Sequence, residues 1–124
     1  MCQISTLALS VQSPFLTEVH NQGEMCVVAV SGELDLASSA TLDQQLTRML
    51  DAAAALVVVD LRGLEFMDST GLSTLVKAHQ RAEQAGKRFA LIRGSQQVQR
   101  LLSLTGVEER MVLADSPEEL LTGG

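Results

Sequence analysis

The densest chemistry in this sequence lies in Asp68-Ser69-Thr70-Gly71, where a carboxylate precedes two hydroxyls and a glycine follows them. An apolar periodicity through Leu72, Leu75, Val76, His79 and Ala82 predicts a helix that starts near Ser69–Thr70, so these residues stand at its mouth. Their types allow two uses. Asp68 or Ser69 can cap the helix by accepting backbone N–H bonds that have no partner inside it. A hydroxyl at this position can also carry a phosphate, because the positive end of the helix dipole tolerates one. A phosphate would add about −1.5 to −2 charges beside Asp68. Such a switch acts by repelling or blocking a partner and does not remodel the fold. Gly71 lets backbone approach closely. Phe66 and Met67 are expected to pin the segment to the core. Met67 is also expected at the surface beside Ser69, where a flexible thioether suits a protein interface.

Enzymatic uses of the same residues fail on geometry or motif. A nucleophilic Ser69 needs a base within about 3 Å. His79 lies ten residues along the same helix, about 15 Å away at 1.5 Å per residue. His20 belongs to an N-terminal hairpin. The Gly-x-Ser-x-Gly elbow and the Gly-x-x-x-x-Gly-Lys-Ser/Thr phosphate loop are both absent. An aspartic dyad built on Asp68 requires a second matching loop. His79 falls on an apolar stripe and reads as a packed histidine, while Cys2 and Cys26 lack metal-ligand spacing and read as reduced thiols. The expectation is no catalytic residue, no cofactor and no metal, with nucleotide binding left open.

The elements that must position Asp68-Ser69 can be read along the chain. Phe15 to His20 and Met25 to Val30 form a hairpin across the turn at Asn21 to Glu24. Ser31 to Asp35 then leaves the sheet, and Ser38 or Ser39 caps a helix with Leu42, Leu46, Met49 and Leu50 on one face. Leu56-Val57-Val58-Val59 reads as a parallel strand buried on both faces, followed by a loop from Asp60 to Asp68. After the Ser69 helix, which Gly86 ends, come a strand at Phe89 to Ile92, a helix opened by Gly94-Ser95 and a short strand at Met111 to Leu113. Ser116-Pro117-Glu118-Glu119 carries the cap, proline and glutamate of a last helix start. The predicted fold is α/β: a single domain with a mostly parallel four- to five-stranded sheet, an antiparallel N-terminal edge strand and about four helices. In such sheets the loops after the carboxyl ends of the strands share one rim. Here that rim holds Gly32 to Ser38, Arg62 to Thr70 and Arg93 to Gln97. Residues 1–14, with the alternation Leu7, Leu9, Val11, form a leader or a further edge strand.

Composition narrows the partners. The 124 residues fit one domain, and their net charge of −6 disfavours nucleic acid and anionic membrane surfaces. With no Trp or Tyr and three Phe, there is little material for stacking on bases. No apolar run reaches the ~18 residues of a membrane span, and the N-terminus lacks the basic region of a signal peptide, so a cytoplasmic protein is expected.

The sequence resembles the STAS domain of bacterial anti-sigma factor antagonists. The resemblance is carried by Gly32-Glu33-Leu34-Asp35, by Val57-Val58-Val59-Asp60-Leu61 and above all by Phe66-Met67-Asp68-Ser69-Thr70-Gly71-Leu72. It runs from about residue 15 to 121, and the domain is assigned to 15–122. The resemblance implies a phosphorylation-gated binding module. The unphosphorylated form binds an anti-sigma factor that is also a serine-protein kinase and so frees a sigma factor. Phosphorylation of Ser69 abolishes that binding, and a PP2C-type phosphatase restores it. Asp35 matches an acidic position linked to partner contact, Asp68 matches the acid before the phosphoserine, and Thr70 fills a Ser/Thr position that is not the usual acceptor. Ser73 stands where many members have Gly. The partner surface is expected to comprise Asp35, Met67, Asp68, Ser69, Thr70, Leu72 and Ser95. The alternative within the same family is a non-phosphorylated scaffold or transporter-accessory domain.

Overall fold

The computed structural model describes residues 15–52 and 54–122, and the expectation of a leader or edge strand at 1–14 falls outside them. The described elements are β1 (Leu16–Gln22), β2 (Met25–Leu34), α1 (Leu36–Asp51), β3 (Leu56–Met67), α2 (Ser69–Gln84), β4 (Arg88–Ile92), α3 (Gln96–Leu104), a 3-10 turn (Val107–Glu109), β5 (Val112–Ala114) and α4 (Pro117–Thr122). The five strands form one sheet whose spatial order follows the chain, β1-β2-β3-β4-β5. β1 pairs antiparallel with β2, and every later pairing is parallel. The α/β architecture expected from the alternation of strands and helices is the one observed.

Period-two alternation along the strands sorts side chains to two faces. Val28, Val30, Val57, Val59, Leu61 and Leu91 meet α1, α2 and α3 through Leu42, Leu46, Leu75, Ala78, Val98 and Leu102. Met25, Val27, Leu56, Val58, Ala90, Ile92 and Ala114 form the second cluster, with Leu120 of α4 packed on it. The run Leu56–Val59 is at most 5 % exposed, which is why it reads as continuously apolar. Gly86, with φ +73°, follows α2 and turns the chain into β4. At α4 the glutamate of the start signal reaches one residue further back than expected: Glu119 Oε1 accepts the Asp115 N–H at 3.1 Å.

Two strands are longer than the sequence suggests. β2 runs through Ser31–Leu34, and β3 continues through the segment expected to be a loop, as far as Met67. The two extensions pair with each other, Ser31 with Gly63 and Leu34 with Met67, across register shifts at Ala29/Ser31 and Gly32/Glu33. Burial along Leu61–Met67 recurs at Leu61, Leu64 and Met67. That three-residue spacing departs from the two-residue period of a regular strand and explains why the segment lacks a strand signature.

Candidate docking and modification site

The paired extensions end side by side, so Asp35 and Asp68 follow residues that are partners across the sheet, Leu34 and Met67. The Asp68 N–H donates to the Leu34 carbonyl at 3.1 Å and ties the two exits together. Each aspartate caps the helix that follows it.

At α1 the cap is Asp35, not Ser38 or Ser39 as the sequence suggested. Asp35 Oδ1 accepts the N–H groups of Ala37 and Ser38 at 3.0 and 3.2 Å. Ser38 Oγ accepts the Asp35 N–H at 2.9 Å and donates to the Glu33 carbonyl at 2.8 Å. Ser38 is therefore the reciprocal member of a capping box, three residues after the cap.

At α2 Asp68 is the cap, and its Oδ1 accepts the Gly71 N–H at 3.0 Å. Ser69 becomes the first helical residue. It is exposed, and its hydroxyl makes no hydrogen bond among the described residues. Its position is fixed from below by Gly71. A Cβ built there would lie 2.6 Å from Leu34 Cγ and 2.9 Å from the Leu34 carbonyl oxygen, so only glycine lets the first turn of α2 press on the end of β2. Thr70 is half-buried, and its carbonyl accepts the Thr74 hydroxyl at 3.2 Å.

The expected site residues divide into three groups. Asp35, Asp68, Ser69 and Thr70 come together on the rim. Met67 and Leu72 lie under it, 4 % and 7 % exposed. The expectation of an exposed Met67 is thus corrected: as the last residue of β3 it points into the core on the face that carries Leu61 and Leu64. Ser95 stands apart. It caps α3 by accepting the Val98 N–H at 3.4 Å. Its neighbour Gly94 packs on Leu61, where a Cβ would come within 2.7 Å of the carbonyl, and Leu61 precedes Asp68 by seven positions. Phe66, expected to pin the segment to the core, is instead 36 % exposed, and the most exposed apolar residue of the rim is Leu36, 74 % exposed, directly after the Asp35 cap and absent from the expected surface. Its signal in the sequence was a leucine just inside a helix start and about a quarter turn off the buried stripe of Leu42, Leu46 and Met49.

The His79 ring meets Phe89 edge-on at 6.0 Å, and its Nε2 lies 3.8 Å from Glu83. Among the described residues no group of three His, Cys, Asp or Glu could hold a metal ion. Arg81, in the last turn of α2, reaches α1, with Asp43 at 3.2 Å and Thr47 at 2.5 Å. Lys87 donates to the Ala52 carbonyl at the end of α1. On the sheet face away from α1 and α2, Asp60 is held by Arg62 at 2.7 Å. Burial pushes the Asp60 carboxyl up, but hydrogen bonds from the Arg62 side chain and backbone and the Arg62 charge outweigh it and leave the group below its ordinary value. Among the described residues, what the rim offers chemically is two hydroxyls without a hydrogen bond at the positive end of a helix, the exposed one of Ser69 and the half-buried one of Thr70, with the Asp35 and Asp68 carboxylates on the same rim.

Residues 17–120 match the STAS domain family. The chain belongs to that family. An anti-sigma-B factor antagonist of Staphylococcus aureus is 30 % identical over 101 residues, which cover 82 % of this chain and 94 % of that protein. The anti-sigma-F factor antagonist RsfB of Mycobacterium tuberculosis is 26 % identical over 115 residues, 93 % of each chain. Among solved structures, an anti-sigma factor antagonist from Mycobacterium paratuberculosis superposes with a TM-score of 0.82 at 25 % identity, over 91 % of this chain and 97 % of that one. The STAS fold thus accounts for the whole described sheet, including the paired extensions of β2 and β3 that carry the rim. No helix among the described residues of this STAS domain is long and apolar enough to cross a membrane.

Proposed function

We propose that this STAS domain is an anti-sigma factor antagonist whose grip on its partner is released by phosphorylation of Ser69. The observation that carries the reading is the Ser69 hydroxyl: exposed, without an internal hydrogen bond among the described residues, and held at the head of α2 by Asp68 and Gly71. The names of the relatives support the class of partner.

In the unphosphorylated state the rim formed by Asp35, Asp68, Ser69 and Thr70 docks an anti-sigma factor, and the sigma factor it held is freed. Ser95 makes a separate, outlying contact. Met67 and Leu72 shape this surface from beneath and do not touch the partner. The anti-sigma factor is itself a serine-protein kinase. It transfers the γ-phosphoryl group of ATP to Ser69 Oγ, releasing ADP and the hydroxyl proton. The new ester adds about two negative charges between two carboxylates. Crowding like charges into a desolvated contact weakens it, while the α2 N-terminus keeps the phosphate compatible with the fold. A PP2C-type phosphatase hydrolyses the ester and resets the surface. The protein acts in the cytoplasm by binding, with no catalytic residue, cofactor, metal, nucleic acid or membrane in its own cycle.

Incubation of the full chain with its anti-sigma kinase and ATP, followed by phosphopeptide mass spectrometry and size-exclusion chromatography, tests the reading. Phosphate on Ser69 together with loss of co-elution is expected. Modification elsewhere with Ser69 untouched, or a complex that survives full phosphorylation, rejects it. Recovery of a transporter subunit or a large self-assembly in place of a kinase would favour the non-phosphorylated scaffold or transporter-accessory role.

A further inference from the structure

A groove of about 570 Å³ opens between α1 and α2, and the rim forms its mouth. Leu36 and Thr70 stand at that mouth, one beside each helix cap, and Ser73, Lys77, Asp43 and Arg81 line the groove as it runs away from Ser69. Single exposed apolar residues are ordinary on protein surfaces. Leu36 is set apart by its place: 74 % exposed, next to Asp35, and facing the same groove as the residue that follows Ser69. The two basic residues of the groove differ. Arg81 is engaged by Asp43 and Thr47, whereas Lys77 is exposed and has no ion-pair partner among the described residues. Lys77 lies seven residues beyond Thr70 on α2, about 10 Å along the helix at 1.5 Å per residue.

We propose that Leu36 is the apolar anchor of the docking surface, and that the α1–α2 groove receives a segment of the anti-sigma factor. This segment carries an apolar side chain against Leu36 and, further along the groove, an acidic side chain against Lys77. The proposal rests on the functional reading given above and adds to it the residues that set partner choice. An exposed leucine gains from transfer out of water, and a contact that becomes fully desolvated contributes more to affinity than one left at the wet edge of an interface. Lys77, midway along the α2 side of the groove, contributes register and charge selection.

The test uses the full chain against each purified anti-sigma factor encoded in the same genome, with affinity read by biolayer interferometry. Leu36→Asp is the main variant. Aspartate at the first position of a helix favours the dipole, so this change removes the anchor without unfolding α1, which circular dichroism checks. We expect Leu36→Asp to weaken binding by about 30-fold or more and Lys77→Glu by about 5-fold. Hydrogen exchange in the complex is expected to slow at residues 36–43 and 70–81. A wild-type complex that Ser69→Asp disrupts but Leu36→Asp leaves within twofold overturns the anchor and spares the functional reading. Full sensitivity to Leu36→Asp with none to Lys77→Glu, and no protection beyond residue 74, overturns the groove. A wild-type chain that binds none of the anti-sigma factors overturns both readings together.

Discussion

Two helix starts, Asp35 before α1 and Asp68 before α2, solve the same local problem on neighbouring strands and end in opposite conditions. At α1 the cap is reciprocal: Asp35 and Ser38 satisfy one another, and the Ser38 hydroxyl is spent on the Glu33 carbonyl. At α2 the Asp68 side chain accepts, among the described residues, the Gly71 N–H alone, and the serine sits one position after the cap, exposed. A serine three residues after the cap is structural, and a serine one residue after it is available for chemistry. The contrast leaves the Ser69 hydroxyl outside the bonds that hold its helix start together.

Four measurements can break or sharpen this contrast. The largest effect belongs to the outward serine. Ser69→Asp should weaken binding to the anti-sigma factor by about 100-fold, about 2.7 kcal/mol, with an unchanged melting temperature, whereas Ser69→Ala should bind and resist phosphorylation. Gly71→Ala should come next, since its Cβ meets Leu34 at 2.6 Å. Overpacking of this kind costs about 1–3 kcal/mol, to be read from urea unfolding, and a cost near zero would mean that α2 is not pressed on β2. The caps themselves follow. Asp35→Ala should cost about 1–2 kcal/mol and Asp68→Ala about 1 kcal/mol, because the first loses a reciprocal box and the second a single bond; a reversed order would undo the comparison.

The smallest effect lies outside both caps, at Asp60. Its carboxyl is held low in the folded state by Arg62 against the opposing pull of burial. A group whose folded pKa lies below its unfolded value, about 3.9, adds stability above that value and loses it as pH falls through the folded one. The pair is half open to solvent on the arginine side, 52 % exposed, so the contribution is under about 1 kcal/mol. The gap in melting temperature between wild type and Asp60→Asn should be present near pH 6 and close as pH drops below about 4.

The comparison also marks what sequence reasoning could reach. Leu56–Val59 announced a doubly buried strand because every side chain in it is apolar, and Asp68-Ser69-Thr70-Gly71 announced a helix start because residue types and periodicity agreed. Asp35 was passed over as a cap because Ser38 and Ser39 are equally good capping types, and only backbone geometry shows which residue stands outside the helix. Leu61–Met67 read as a loop because its burial repeats every third residue, a spacing that belongs to a strand irregularly paired with β2. Met67 and Leu36 exchanged roles for related reasons. The face that Met67 takes at the end of β3 depends on register, and β3 carries an extra residue at each of two shifts against β2; Leu36 was missed because the helix starts after Asp35 and not at Ser38 or Ser39.

The order of the sheet carries a consequence for biosynthesis. Because each strand lies beside its predecessor in the chain, a polypeptide leaving the ribosome always finds its pairing neighbour already made, and such sequential closures avoid long waiting loops. The Ser69 rim is built from β2, α1, β3 and the start of α2, so this corner leaves the ribosome ahead of β4 and β5.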